Sequence, residues 1–141
     1  MAAVDNVKLE IAENQGAAAA LVTYRLKGTP QEVLEDEIFI EAVELIGVDK
    51  IAGEDGQNEV IPGVRFERSV TIPSLFAFRS RLLAMQANVL NEDSNPGPFD
   101  VRVDEIQARV TLSRNSRVLS TASSDPVRRG GINFRPPVIP A

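Results

Sequence analysis

The chain has 141 residues, 20 acidic against 15 basic side chains for a net charge of −5, and neither histidine nor cysteine. Lacking both removes the commonest general base, the commonest transition-metal ligand, disulfides and thiolate chemistry. At this length a single domain buries about two-thirds of the surface its unfolded chain exposes, so a core forms without staples.

The N-terminus, MAAVDNVKLE, carries Asp5 and no apolar h-region, and the longest apolar run, Ala17 to Val22, is far below the roughly 20 residues that span a bilayer. The sequence therefore predicts a soluble protein, cytoplasmic or part of a virion-like particle, with no membrane partner.

Two strands open the chain. VKLEIA, Val7 to Ala12, sets Val7, Leu9 and Ile11 against Lys8 and Glu10, and LVTYRLK, Leu21 to Lys27, sets Val22, Tyr24 and Leu26 against Thr23, Arg25 and Lys27. This period of two is that of half-buried strands. ENQGAAAA between them supplies a turn at Gly16. TPQEVLEDEIFIEAVELIG starts with a capping box, Thr29 to Glu32 with Pro30 at the first helical position. The β-branched and aromatic residues Ile38, Phe39, Ile40, Val43, Ile46 and Val48 then favour a strand. The reading is a helical turn over Pro30 to Leu34 and a long strand from Glu37 to Val48; the competing reading is one helix over 30–46.

An acidic loop, 49–59, precedes VRFERSVTI, where Val64, Phe66, Val70 and Ile72 share one face and Arg68 falls among them. Arg68 there needs a buried acid, a sheet edge or a partner, and the expectation is a carboxylate partner, within the subunit or across an interface. SLFAFRSRLLAMQANVL spaces Leu75, Phe78, Leu82, Met85 and Val89 as a helical stripe, yet it also suits a strand whose second half pairs with Val101 to Leu112 across the turn-rich segment 91–100. Helix and strand over 74–88 stand equal. Phe99, Val101 and Val103 occupy odd positions and Ile106, Ala108, Val110 and Leu112 even ones, so the phase slips at Asp104 and Glu105, as a bulge or corner does. SRNSR reads as a turn, VLS as a short returning strand, and ASSDPVRRGG as a loop.

Six to seven strands at such spacings, with no βαβ alternation, predict a mainly β chain: an antiparallel β-sandwich, Ig-like or jelly-roll-like, with an extended C-terminal arm. The alternative is an α+β domain with a helix at 30–46, at 74–88, or at both. Residues 1–127 form the one domain and 128–141 the arm, which Pro136, Pro137 and Pro140 bar from helix and from interior strand.

Residues 1–60 hold thirteen acids against four bases, −9, whereas residues 61–141 hold seven against eleven, +4, and arginine outnumbers lysine twelve to three. One reading is a dipolar subunit that meets its neighbour through complementary faces; the other is that folding mixes the halves. Beyond a Gly130-Gly131 hinge, the arm sets apolar Ile132, Phe134, Val138 and Ile139 beside Arg128, Arg129 and Arg135. A stiff segment of this kind suits the edge or groove of another subunit.

Chemistry is sparsely provided for. No phosphate-binding glycine loop or nucleophile elbow occurs, and Glu35, Asp36 and Glu37 read as a solvated turn, so no catalysis and no cofactor are expected. The loops 49–59 and 91–100 carry calcium-type oxygens without EF-hand spacing, and no metal is expected. The acidic total disfavours nucleic acid, and the lack of tryptophan, with Tyr24 turned inward, disfavours a small-molecule sugar ligand. The expectation is a non-catalytic structural subunit of a self-assembling particle, a coat, cement or tail-like component of a virus or phage-like assembly. Its partners are copies of itself or other structural subunits, met through Arg68, Arg128, Arg129, Ile132, Phe134, Arg135, Val138 and Ile139. The alternative is a β-sandwich binding module for a ligand or protein.

Overall fold

The structure is a computed structural model that describes residues 1–48, 58–86 and 105–128. The elements run β1 (Ala3–Asn14), β2 (Ala17–Lys27), α1 (Pro30–Leu34), β3 (Phe39–Val48), β4 (Asn58–Val70), β5 (Phe76–Gln86), β6 (Glu105–Arg114), β7 (Arg117–Ser123) and β8 (Val127–Arg128). They build two antiparallel sheets, one ordered β1-β2-β5 and the other β4-β3-β6-β7, with β8 pairing β6 beyond the end of β7. Of the two sandwich types expected, this order, with the first, second and fifth strands facing the third, sixth and seventh, is the immunoglobulin-like one.

Local chemistry sets the corners. Gln15 and Gly16 both have positive φ, as do Asn115 and Ser116. Each pair forms a two-residue turn of the kind whose twist matches its flanking strands, closing β1 on β2 and β6 on β7 in register. The capping box forms as expected: Thr29 Oγ1 accepts from the Glu32 N–H at 3.2 Å, and Glu32 Oε1 accepts from the Thr29 N–H at 2.8 Å. Glu32 Oε2 also accepts from the Ala2 N–H at 2.9 Å, which ties the start of the chain to the helix. Asp36, in the left-handed region, ends α1 and turns the chain into β3.

Tyr24, Leu26, Val22, Phe39, Val43, Leu45, Ile106, Ala108, Val110 and Leu112 fill the space between the sheets. β1 alternates in two phases, with Val4 before and Val7 and Leu9 after a register shift at Asp5/Lys8, where Asn6 takes positive φ. Such a bulge re-aims a strand at a sheet edge, and here it brings the Val4 N–H to Ser120 Oγ of β7 at 3.1 Å.

Several expectations need correction. Residues 76–86 are strand, paired to β2 along all eleven residues, so the helix over 74–88 is not formed; nor does this segment pair with the strand after the 91–100 turn. β3 starts at Phe39 rather than Glu37. Val127 and Arg128 are not loop but a strand opposite Ile106 and Glu105, so the arm's first expected residue belongs to the sheet. Pro126 and the preceding Ser124 explain the break between β7 and β8, since Ser124 Oγ accepts from the Ala108 N–H where the ladder is interrupted. The slip at Asp104, the acidic segment 91–100, nearly all of the loop 49–59 and the arm from Arg129 lie outside the described residues. Among those described, no helix is long and apolar enough to cross a membrane.

Candidate functional site

Two features of β5 stand out together. Its inward face carries Arg79 and Arg81 between Ala77 and Leu83, and its outward face carries Phe76, Phe78, Leu82 and Ala84, so the usual polarity is inverted. β5 is also the last strand on its side of the sheet, with a free edge among the described residues.

The inward arginines are possible because of Glu41. This residue points from β3 into the sandwich and is completely buried. Arg79 Nε lies 2.5 Å from Glu41 Oε2, in charge contact although not aligned as a hydrogen bond, and Arg81 donates to Glu41 Oε1 from Nε at 3.2 Å and from Nη2 at 3.1 Å. The Arg81 guanidinium also covers the Phe66 ring of β4 at 4.7 Å. Tyr24 completes the cluster: its hydroxyl is buried with no hydrogen-bond partner, and burial first, then the charge of Glu41, push its pKa above the ordinary tyrosine range. An ion pair buried this way is a weak source of stability, but removing one member leaves an uncompensated charge.

Arg68 stands directly opposite Glu41 on β4, as its alternation implies. The structure does not bury it, however. Arg68 is exposed and makes no ion pair among the described residues, so the expected carboxylate is not supplied by this part of its own chain. The reason is register: Glu41 already takes Arg79 and Arg81 from the facing sheet, and β4 is an edge strand that lets Arg68 swing toward solvent. Arg68 and Arg79 line a groove of about 440 Å³ with Ile38, Ser69, Thr71 and Pro73, at the open side between the β4 and β5 edges.

Part of the charge asymmetry between the two halves of the sequence is matched inside the fold, through three of the thirteen first-half acids. Glu37 pairs with Arg114 at 2.9 Å, Glu41 with Arg79 and Arg81, and Glu44 with Arg65 at 3.1 Å and Arg109 at 3.2 Å. Each joins a first-half acid to a second-half arginine. Arg65 also binds Glu67 beside it.

On the outer face of the three-stranded sheet, Phe78 is 79% exposed, Leu82 67% and Phe76 53%. Leu21 of β2 lies opposite Leu82, and Arg25 covers the Phe76 ring at 5.0 Å. Arg25 is itself anchored by Asp5 of β1 through two hydrogen bonds, 2.8 and 2.6 Å, and Lys27 lies 3.2 Å from the same carboxylate. These cations, the Arg25 hydrogen bond foremost, hold the Asp5 pKa down to about 2. Asn6, Lys8, Thr23, Phe78 and Ser80 line a shallow pocket of about 320 Å³ on this face.

Of the expected interface residues, the structure places Arg68 at the groove and the Arg128 backbone in β8; Arg129, Ile132, Phe134, Arg135, Val138 and Ile139 lie outside the described residues. Sequence reasoning missed the cluster and the apolar face. The signal that would have found both is the alternation of 76–86 taken at period two, which separates Phe76, Phe78 and Leu82 from Arg79 and Arg81.

No protein-family model and no curated protein sequence matches this chain. Solved structures do resemble it. A glycosyl hydrolase family 2 member from Bacteroides cellulosilyticus DSM 14838 superposes with a TM-score of 0.54 at 17% identity, over 86% of this chain and 15% of that one. A second structure of a family 2 member from Bacteroides cellulosilyticus gives 0.53 at 17%, over 86% and 14%. The chain thus spans about one-seventh of the length of these neighbours, and the likeness is one of fold.

Proposed function

We propose that this chain is a non-catalytic structural subunit that docks onto copies of itself or onto other structural subunits, as the coat, cement or tail-like components of virus or phage-like assemblies do. The observation that carries the reading is the outer face of β5, where Phe76, Phe78 and Leu82 stand exposed along a strand whose edge is free among the described residues. Contiguous apolar surface on a sheet rim is characteristic of an interaction site, and an unpaired edge adds a row of backbone donors and acceptors. The sequence beyond Arg128, with Ile132, Phe134, Val138 and Ile139 and the arginines 129 and 135, is of apolar and basic composition and suits a second docking element. Glu37, Glu41 and Glu44 are already paired with arginines of the second half, so these acids contribute little to opposed charged faces, and the exposed apolar residues of β5 are expected to carry much of the association.

A second reading, a β-sandwich binding module, draws support from the shallow pocket where Phe78 stands beside Lys8, Asn6, Thr23 and Ser80. Molar mass measured by light scattering over a hundredfold concentration range separates the two. The assembly reading expects mass to rise with concentration and the rise to vanish in Phe78→Ser/Leu82→Ser. A wild-type chain that stays monomeric throughout would refute it.

A further inference from the structure

The groove between β4 and β5 holds more positive charge than the fold neutralises. Arg68 and Arg79 line it, Arg81 lies beyond Arg79 on the same face of β5, and the carboxylate turned toward them among the described residues, Glu41, is committed to Arg79 and Arg81. Arg68 is left exposed with no acid among the described residues, and Ser69 and Thr71 flank it in the groove wall. A guanidinium with free donors beside hydroxyl groups is a receptor for a planar, two-oxygen anion.

We propose that this groove is a carboxylate-binding site whose occupant is an acidic side chain borne on an extended segment of a partner polypeptide. The inference rests on the reading of the chain as a docking subunit and identifies what it docks. Three observations select this occupant. Glu41 shows that the arginines of this seam already coordinate a carboxylate. The groove wall also includes Ile38, 62% exposed, and Pro73, which accept an apolar neighbour on the same segment but offer nothing to a polyanion. The edge of β4, free among the described residues, runs along the groove and can hydrogen-bond an extended backbone. A nucleic acid would instead meet a molecule of net charge −5 with one free arginine at this place.

Two of the chain's own segments are poorly suited to fill the site. The C-terminal segment carries Arg129 and Arg135, the wrong sign. The acidic segment 49–57 joins its strands at Val48 and Asn58, seven residues or about 23 Å along β3 from Glu41. A neighbouring copy, in contrast, can present this segment, or 91–100, in trans.

The test uses a fluorescein-labelled peptide that carries one glutamate between two valines in a neutral Ser/Thr background, with binding to the full chain read by anisotropy at low salt. Specific binding is expected in the wild type, at least about tenfold weaker in Arg68→Ala, partly retained in Arg68→Lys, and unchanged in Arg117→Ala, an exposed arginine on the β6–β7 turn. Unlabelled glutarate should compete only weakly, since it lacks the backbone and apolar contacts. The proposal is overturned if no peptide binds, if Arg117→Ala weakens binding as much as Arg68→Ala, or if inorganic phosphate displaces the peptide better than glutarate. Glutarate competing as well as the unlabelled peptide overturns the polypeptide part and leaves a small-carboxylate site. Peptide binding is read on single chains and assembly by molar mass, so a chain that binds the peptide yet never associates refutes only the assembly reading.

Discussion

β3 and β5 are similar in sequence texture and opposite in placement. Both mix apolar and charged residues in a way that suits helix or strand. β3 lies between β4 and β6, nearly every residue buried, and admits Glu41 and Glu44 only because arginines from β4, β5 and β6 reach them. β5 lies at a rim, turns its arginines inward to that same Glu41 and leaves its large apolar residues in solvent. The difference teaches that charge is used here to close the core, whereas apolar surface is kept outside it.

The strongest way to break this contrast is to remove the group that links the two strands. Glu41→Ala leaves two mostly buried guanidinium groups without a counter-charge, and is expected to cost about 3–5 kcal/mol in urea denaturation. Replacing the three together, Glu41→Leu/Arg79→Leu/Arg81→Leu, should recover most of that loss, because an apolar seam has no charge to compensate. A loss in Glu41→Ala below about 1 kcal/mol would mean that the seam is held by other contacts.

Two phenylalanines sharpen the comparison. Phe39, 1% exposed at the start of β3, should cost about 3–5 kcal/mol when replaced by alanine. Phe78, 79% exposed on β5, should change stability by less than about 0.5 kcal/mol under the same substitution. Comparable losses at both sites would show that the outer face of β5 is covered within the monomer.

The smallest effect concerns the sheet to which β5 belongs. Asp5 has its folded pKa lowered to about 2 by Arg25 and Lys27, below the ordinary value near 3.8. A group depressed in the folded state stabilises above its unfolded pKa, and that contribution is lost as pH falls from about 4 toward 2. In Asp5→Asn this part of the acid decline should disappear, leaving a shallower fall in stability over that window. An unchanged profile would mean that solvent screens the contact fully.

How far these features were legible follows from the distance over which each is decided. The hairpins at Gly16 and at Asn115, and the turn of helix at Pro30 with its Thr29–Glu32 box, depend on two to four adjacent residues and could be read directly. β1 and β2 were equally plain because their outer faces are polar. β5 was not, since Phe78 and Leu82 are also spaced for a helix and no local rule says that Arg79 and Arg81 face inward. That placement depends on Glu41, 38 and 40 positions away in the chain. Arg68 shows the same limit in reverse: its strand phase was correctly inferred, but whether it would be buried depended on β4 lying at the edge of its sheet.

The two ends of the described path lie at opposite ends of the sandwich. Ala3 begins β1 opposite Lys27, at the end where Glu32 binds the Ala2 N–H, whereas β8 stops at Arg128 opposite Glu105, the far end of β6. Tension applied between them would therefore run along the strands, across hydrogen bonds that are perpendicular to it. The β1–β2 ladder, with ten residue pairs, would be loaded in shear, its bonds together, whereas the β6–β8 ladder, with two pairs, would give way first. Pulled at Ala3 and Arg128, the described part of the chain would therefore yield at β8 before the sandwich itself opened.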